Sequence, residues 1–324
     1  MRTLLVNLRI PGISDFTMSR EQSERLGRLL GESWRVILCG SQEEFLSLLP
    51  QADAVSTWTF RQEWFALAPK LRLVSTPAAG KDYFSVEWPP TVEHWNGAFH
   101  GTIMAESAVA MILGMARGLL PAVTTFRQDP WPRTQLDAIA RPVRDSRITI
   151  CGFGNIGRHA GRLLKALGAK IWGVSLHAGH SRPDYFTPED ALYTADHLDE
   201  LLPHTDHVLL VLPRSPLTNH FLDAHRLALL PPYATITNLG RGNALDEAAL
   251  VDALSSHRLA GACLDVMETE PLPADSPLRS CPNLWLTPHA SALSPDYLDL
   301  YAAELAERIA AFEKGGRRKE EGES

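Results

Sequence analysis

The chain has 324 residues, a length typical of two domains, and 45% of them are hydrophobic, enough for substantial cores. Its 38 acidic residues outnumber 31 basic ones, and the resulting net charge of −7 excludes a generally basic surface for nucleic acid. No apolar run reaches the ~20 residues of a membrane-spanning helix, and the N-terminal MRTLLVNLRI is too short for a signal peptide. We therefore expect a globular protein that binds neither nucleic acid nor a membrane.

The four cysteines, Cys39, Cys151, Cys263 and Cys281, lie far apart in the chain and lack C-x-x-C spacing. Three of them lie in or beside apolar runs. Such cysteines are typical of buried thiols in a reducing compartment rather than of disulfides or zinc ligands. They favour a cytoplasmic protein without a bound metal.

The first hundred residues alternate strand-like and helix-like segments. The strand-like segments are LLVNL, RVILC, DAVSTW and LRLVSTP, and the helix-like ones are EQSERLGRLLGES and SQEEFLSLLP. They predict a small α/β unit without a glycine-rich phosphate loop of its own. A helix over about Thr102–Leu120 follows, with small or apolar residues on nearly every face, which predicts burial between domains or between subunits.

A glycine-rich turn follows an apolar, β-branched strand at Arg147–Cys151. The turn has G-x-G-x-x-G spacing, and the segment RHAGRLLKALGA after it predicts an amphipathic helix. With a second strand at Lys170–Val174, this arrangement predicts a dinucleotide-binding site whose pyrophosphate lies at the helix N-terminus. The residues of the turn are the predicted cofactor contacts: Gly152, Gly154, Asn155, Ile156 and Gly157.

The residue at the end of the second strand contacts the ribose of such a cofactor. An acidic residue there hydrogen-bonds the ribose 2′-hydroxyl and so favours NAD(H). This chain has Ser175 at that position and no acidic residue until Asp184. His177, His180 and Arg182 make the following loop neutral to basic, so that a 2′-phosphate would be tolerated. The expected cofactor is NAD(P)(H), with NADP(H) modestly favoured.

Four more strand-like segments, VLLVLP, ATITNLG, AGACLDV and LWLTPH, are separated by helical ones. This alternation predicts a parallel, doubly wound sheet with ligands at the carboxyl ends of its strands. Three chemically useful side chains come at those ends, namely Arg241, Glu270 and His289. The guanidinium can hold a carboxylate through two hydrogen bonds, and the imidazole can exchange a proton with a carbonyl oxygen.

A carboxylate behind the imidazole would fix its tautomer and stabilise its charged form. Glu270 is the predicted partner of His289, and Glu268 is a competing carboxylate that the residue pattern barely separates from it. Asp265, at the end of AGACLD, is the group expected to face a nicotinamide. Together these side chains predict hydride transfer on a small keto or hydroxy acid.

The motifs NLGRGNALDEAAL, LDVMETEPLP and LTPHAS, in this order after the glycine turn, resemble those of the D-isomer-specific 2-hydroxyacid dehydrogenase family. The likeness is good over about Ala78–Ser291 and loose before it. It implies that Arg241 binds the substrate and that His289 is the acid/base. It also favours Glu270 as the partner of His289, because this carboxylate stands directly before the proline of the acidic motif.

The same resemblance implies a discontinuous architecture. A Rossmann nucleotide domain, residues 99–289, is expected as an insertion in a smaller, flavodoxin-like α/β substrate domain, residues 1–98 plus 290–324. The apolar helix is implied to pack across the two-fold axis of a homodimer.

Two further loops are identified by resemblance. STPAAGKDYF resembles the loop whose backbone amides hold the substrate carboxylate, here around Ala79 and Gly80. VLPRSPLT resembles a loop on the adenosine side, with Pro213 and Thr218 as contacts. The resulting hypothesis is NAD(P)-dependent interconversion of small 2-keto acids and D-2-hydroxy acids. A dinucleotide-sensing scaffold without catalysis is the alternative, and the complete set of arginine, glutamate and histidine argues against it.

Overall fold

The computed structural model describes residues 1–80, 82–176, 179 and 181–313. They form two compact units, each described by itself below. Unit 1 comprises Met1–His100 and the described residues from Leu293 onward, and unit 2 comprises Gly101–Ala292. Each unit has its own parallel sheet, which confirms the predicted α/β class. The assignment of residues 1–98 plus 290–324 and 99–289 to substrate and nucleotide domains stays a prediction.

The sheet of unit 1 has five parallel strands, Arg2–Asn7 (β1), Trp34–Leu38 (β2), Ala54–Thr57 (β3), Leu73–Thr76 (β4) and Glu93–Asn96 (β5). Their order in the sheet is β2-β1-β3-β4-β5, the order of flavodoxin-like folds. The first four coincide with predicted segments. The edge strand β5 does not, because Trp95 is its only buried residue and it has no apolar pattern.

The sheet of unit 2 is again parallel throughout, with the strands Arg147–Cys151 (β6), Lys170–Ser175 (β7), Ala191–Thr194 (β8), His207–Leu210 (β9), Thr235–Asn238 (β10), Gly261–Leu264 (β11) and Leu284–Leu286 (β12). Their order in the sheet is β12-β11-β10-β9-β6-β7-β8. The order reverses between β6 and β9, and their carboxyl ends bound the crevice in which doubly wound folds bind ligands. This is the predicted Rossmann arrangement.

The helices follow a few local signals in the sequence. Ser19 and Gln22 form a capping box at the start of the first helix, and the side chain of Asp246 caps the ninth. The helices are Arg20–Leu30 (α1), Gln42–Leu48 (α2), His100–Ala116 (α3), Leu119–Val123 (α4), Arg133–Ile139 (α5), Asn155–Ala166 (α6), Leu198–Leu201 (α7), Ala224–Leu229 (α8), Glu247–Ser255 (α9) and Tyr297–Glu313 (α10).

Both faces of the sheet in unit 2 are covered by apolar clusters. Successive residues of β9 alternate between them, with Val208 and Leu210 in one cluster and Leu209 in the other. A strand buried on both faces has a continuous apolar sequence, which is why these strands are easy to predict. The edge strand β8 is not among the predicted segments, because its residues are half-buried and only two of the four, Leu192 and Tyr193, are large and apolar.

The apolar helix α3 differs from the prediction in its length. It ends at Ala116 rather than near Leu120, because Gly118 takes the left-handed conformation at φ 71° and a short helix follows. One face is fully buried, with Ala105, Ala108 and Ile112 in a core cluster of unit 2. The opposite face exposes Thr102, Glu106 and Ala110 in the single chain, so burial of this face between subunits stays a prediction.

None of the helices in the described ranges combines the length and apolar character needed to cross a membrane. Those ranges also contain no group of three or more His, Cys, Asp or Glu side chains placed to hold a metal ion. The cysteines are unpaired thiols, and burial raises the pKa of Cys39, Cys151 and Cys263 to about 12. Such thiols are unreactive near neutral pH.

Candidate active site

The glycine turn joins β6 to α6 in unit 2. A Cβ on Gly152, at φ 96°, would lie 2.5 Å from the carbonyl oxygen of Val211, and one on Gly157 would lie 2.3 Å from the carbonyl oxygen of Gly152. Gly154 instead faces open space and precedes α6 without a side-chain cap. The backbone amides at this helix end therefore keep the room and the positive dipole that a pyrophosphate needs, so the residues fit a dinucleotide.

Two other predicted residues of the turn, Asn155 and Ile156, form the first turn of α6. Ile156 is half-buried and packs against a core cluster of unit 2. The carbonyl oxygen of Asn155 lies 2.9 Å from Nδ1 of His159. Asn155 and Ile156 thus anchor the start of the helix, and their contact with a cofactor stays a prediction.

Ser175 is the last residue of β7 and is buried. In the loop beyond it, Nη2 of Arg182 donates to the carbonyl oxygen of Thr187 over 2.6 Å, and the guanidinium lies over the ring of Phe186. Two histidines predicted for this loop, His177 and His180, lie outside the described residues. The strand end is thus without a carboxylate, and Arg182 is held within its own loop.

The loop after β9 contains Pro213 and Thr218. The Thr218 hydroxyl donates to the carbonyl oxygen of Pro213 over 2.7 Å and accepts from the backbone amide of Ser215 over 2.9 Å. Thr218 is fully buried, whereas Pro213 is exposed. Thr218 therefore shapes the loop, and contact of either residue with an adenosine stays a prediction.

Arg241 is the third residue of the loop after β10 and is half-buried. The amide side chain of Asn238 organises this loop, since it donates to the carbonyl oxygen of Arg241 and accepts from the backbone amide of Gly240, both over 3.1 Å. A Cβ on Gly242 would lie 2.0 Å from the carbonyl oxygen of Met267. The arginine loop therefore touches the loop after β11. Asn238 and Gly242 are absent from the predicted set, although the turn-rich pattern NLGRGN was a signal for them.

The structure brings Glu270 and His289 together. Nδ1 of His289 donates to Oε2 of Glu270 over 2.7 Å, and Oε1 of Glu270 accepts from the backbone amide of Met267 over 2.9 Å. His289 has a positive φ of 52°, and its backbone amide donates to the carbonyl oxygen of Asp265. The imidazole is 51% exposed. With Nδ1 bonded to a carboxylate, Nε2 is the ring nitrogen that can meet a ligand.

The competing carboxylate, Glu268, has other partners. Nε2 of His220 donates to Oε1 of Glu268 over 3.0 Å, and the backbone amide of Glu268 donates to Glu247 over 2.7 Å. Burial raises the pKa of Glu247 above its usual value, and the neighbouring carboxylates of Glu268 and Glu270 add to the rise. Of the two candidates, Glu270 is the one that contacts His289.

Asp265 is fully buried at the end of β11. Its Oδ1 accepts from the Thr287 hydroxyl over 2.6 Å and from the backbone amide of Ala290 over 2.8 Å, and its Oδ2 accepts from the amide of Ser291 over 3.0 Å. Asp265 therefore fixes the loop that carries His289, a role that the sequence did not indicate. Its contact with a nicotinamide stays a prediction.

In unit 1, Ala79 and Gly80 lie in the loop after β4. The carbonyl oxygen of Gly80 accepts from the side-chain amide of Asn96 over 2.7 Å and from the backbone amide of Tyr83 over 3.1 Å. Within the described part of the chain, the backbone amides of Ala79 and Gly80 donate to no protein acceptor. Both amides thus remain candidate donors to an anion.

Residues 109–291 match the D-isomer specific 2-hydroxyacid dehydrogenase, NAD binding domain. The chain is 30% identical to the D-3-phosphoglycerate dehydrogenase of Synechocystis sp. over 277 residues, and this alignment covers 83% of the chain and 48% of that protein. It is 31% identical to the glyoxylate reductase of Korarchaeum cryptofilum over 259 residues, and this alignment covers 78% of the chain and 76% of that protein. The chain thus spans about half the length of the phosphoglycerate dehydrogenases that it matches.

A solved structure extends the likeness over the whole chain. The NADPH-dependent glyoxylate/hydroxypyruvate reductase of Sinorhizobium meliloti, in complex with NADP and sulfate, is 26% identical and has a TM-score of 0.78, with 97% of this chain and 96% of that chain covered. The match to the NAD binding domain takes in more than half of the present chain, including Arg241, Glu270 and His289. The chain belongs to the D-isomer specific 2-hydroxyacid dehydrogenase family.

Proposed function

We propose that the protein is an NAD(P)-dependent oxidoreductase that interconverts small 2-keto acids and D-2-hydroxy acids. The observation that carries this proposal is the 2.7 Å hydrogen bond between Glu270 and His289 in a half-exposed site of a family member. A scaffold that only senses a dinucleotide would have no use for a histidine oriented by a carboxylate. The relatives named for glyoxylate and hydroxypyruvate reduction support the same class of substrate.

The nicotinamide, when bound, supplies or accepts the hydride at the carbon that bears the oxygen. During reduction, Nε2 of His289 gives its proton to the carbonyl oxygen, and in the reverse direction it takes this proton back. Glu270 accepts the hydrogen bond from Nδ1, fixes the tautomer and stabilises the charged ring. Arg241 would hold the substrate carboxylate, since a guanidinium stays charged at any working pH.

Positioning groups support these roles. Asp265 fixes the backbone of the histidine loop, and Asn238 fixes the backbone of the arginine loop. In unit 1, we propose the amides of Ala79 and Gly80 as donors to a carboxylate, because their hydrogen atoms are not used by described residues of the protein.

For the cofactor, we propose NADP(H) over NAD(H). Ser175 ends β7 without the acidic side chain that would repel a 2′-phosphate. The Sinorhizobium meliloti reductase, crystallised with NADP, is consistent with this preference. The cytoplasmic location stays a prediction that depends on the spacing and burial of the cysteines.

The test is steady-state turnover of glyoxylate, hydroxypyruvate, pyruvate and 3-phosphohydroxypyruvate with NADPH and with NADH. We expect turnover of at least one keto acid and a loss of about a hundred- to ten-thousand-fold in His289→Ala. His204→Ala, which removes an exposed histidine of the same unit, is the control and should match the wild type. Binding of NADPH without turnover of any acid would support the scaffold instead.

A further inference from the structure

Arg158, the residue after the last glycine of the turn, reaches from α6 to the loop beyond β7. Its Nη2 donates to the carbonyl oxygen of Ser181 over 2.9 Å, and its guanidinium carbon lies 5.6 Å from the centroid of the Phe153 ring. Arg158 thus connects the turn that binds the pyrophosphate with the loop that follows Ser175. In dinucleotide-binding folds, this second loop is the one that surrounds the ribose 2′ position.

The guanidinium of Arg158 has an unsatisfied donor. Its Nε is buried and has no hydrogen-bond acceptor among the described residues. A buried donor without an acceptor is rare in folded proteins and calls for an explanation, and a missing ligand is one. A guanidinium is well suited to phosphate, because its planar fork can donate two parallel hydrogen bonds.

Two neighbouring arginines are engaged differently. Arg162, one turn further along α6, forms an ion pair of 2.8 Å with Asp184. Arg182, one of the residues that make the loop beyond β7 neutral to basic, donates to the carbonyl oxygen of Thr187. Arg158 forms no ion pair with a carboxylate among the described residues. Its charge is therefore available to an anion, whereas that of Arg162 is already paired.

We infer that Arg158 is the residue that recognises the 2′-phosphate of NADP(H) and so sets the cofactor preference of this protein. This inference rests on the cofactor part of the proposed function. Ser175 permits the phosphate by its lack of charge, and Arg158 attracts it.

The experiment measures dissociation constants for NADPH and NADH by fluorescence titration without substrate, so that catalysis does not enter. In Arg158→Met, we expect the dissociation constant for NADPH to rise about tenfold or more and that for NADH to change less than about threefold. Arg158→Lys should lie between Arg158→Met and the wild type, because it keeps the charge and loses the fork. Competition by 2′,5′-ADP should weaken in parallel with NADPH.

Arg162→Met and Arg182→Met are the matched controls, since each removes one cation from the same region. Both should leave the ratio of the two dissociation constants unchanged. An unchanged ratio in Arg158→Met and Arg158→Lys, or a loss of NADPH preference in Arg182→Met alone, overturns the inference and leaves the proposed reaction intact. If the wild type binds neither NADPH nor NADH, both the proposed function and the inference about Arg158 are wrong.

Discussion

Glu270 and His289 form a hydrogen-bonded pair, with Oε2 of the carboxylate 2.7 Å from Nδ1 of the imidazole. The carboxylate is itself oriented, since its other oxygen accepts from the backbone amide of Met267. The loop of His289 is held separately by the buried carboxylate of Asp265. The two carboxylates therefore have different roles: Glu270 orients the His289 ring, and Asp265 orients the backbone of the loop that carries this ring.

Replacing Glu270 should lower the rate of reduction. A neutral amide in Glu270→Gln neither fixes the tautomer of the His289 ring nor balances the positive charge of the ring that donates the proton. We therefore expect kcat for reduction to fall by about tenfold or more. Glu268→Gln is the matched control and should equal the wild type, because Glu268 contacts His220 rather than His289. A loss in the control and none in Glu270→Gln would reverse the assignment.

Replacing Arg241 should separate charge from geometry. Arg241→Lys keeps the positive charge and loses the planar fork, so KM for the keto acid should rise and kcat should fall. A loss of about 10- to 100-fold in kcat/KM corresponds to one charge-assisted hydrogen bond. Arg258→Lys, at an exposed arginine whose guanidinium hydrogen-bonds to the Ser256 hydroxyl, is the control. Kinetics in Arg241→Lys that match the wild type would remove Arg241 from the site.

Replacing Ser175 tests the strand end. Ser175→Asp introduces at the end of β7 the carboxylate that bonds a ribose 2′-hydroxyl and repels a 2′-phosphate. The ratio of kcat/KM for NADPH to that for NADH should therefore fall by about tenfold or more. Ser280→Asp, at an exposed serine elsewhere in unit 2, controls for added charge alone and should leave the ratio unchanged. A wild type that already prefers NADH by a wide margin would contradict the expected effect.

The sequence predicted every strand of the unit 2 sheet except the edge strand β8. Strands such as β9 are buried on both faces and read as continuous apolar runs, whereas β8 is half-buried along its length. The edge strand β5 of unit 1 has the same weakness. Patterns of hydrophobicity report burial, so a partly exposed strand is recognised only when its residues are large and apolar, as in the LWL of the other edge strand, β12.

Which carboxylate meets the histidine could not be settled by spacing. Glu268 and Glu270 follow the same strand two residues apart, and the choice depends on how their loop folds against the arginine loop. That packing is visible in the contact of Gly242 with the Met267 peptide. The roles of Thr218 and Asp265 were equally hidden, because the sequence places polar side chains at strand ends without showing their hydrogen-bond partners.

A buried histidine makes stability depend on pH. His207 lies in β9, is almost fully buried, and is hydrogen-bonded through Nδ1 to the Thr235 hydroxyl. Burial lowers the pKa of His207 from 6.5 to about 4. The unfolded chain therefore takes up a proton near pH 6.5, which the folded chain takes up only near pH 4. The free energy of unfolding should fall as the pH is lowered through this window, by up to about 3 kcal/mol.

The measurement is urea denaturation at pH 7.5 and pH 5. The loss of stability between the two should be smaller by about 2 kcal/mol in His207→Gln than in the wild type. His204→Gln, at an exposed histidine, should keep the loss seen in the wild type. Equal losses in all three proteins would show that His207 does not account for the pH dependence.

The segment after α3 predicts a homodimer. Leu119, Val123 and Trp131 are 61%, 66% and 77% exposed in the single chain, and all belong to unit 2. Large apolar side chains at such exposure favour an interface, and an obligate one buries about 2,000 Å² or more.

Light scattering should give about twice the 35.8 kDa of the chain at micromolar concentration. Leu119→Glu with Val123→Glu should shift the mass towards the monomer, whereas Leu67→Glu, at an exposed leucine of unit 1, should not. A wild type that scatters as a monomer would rule out the dimer.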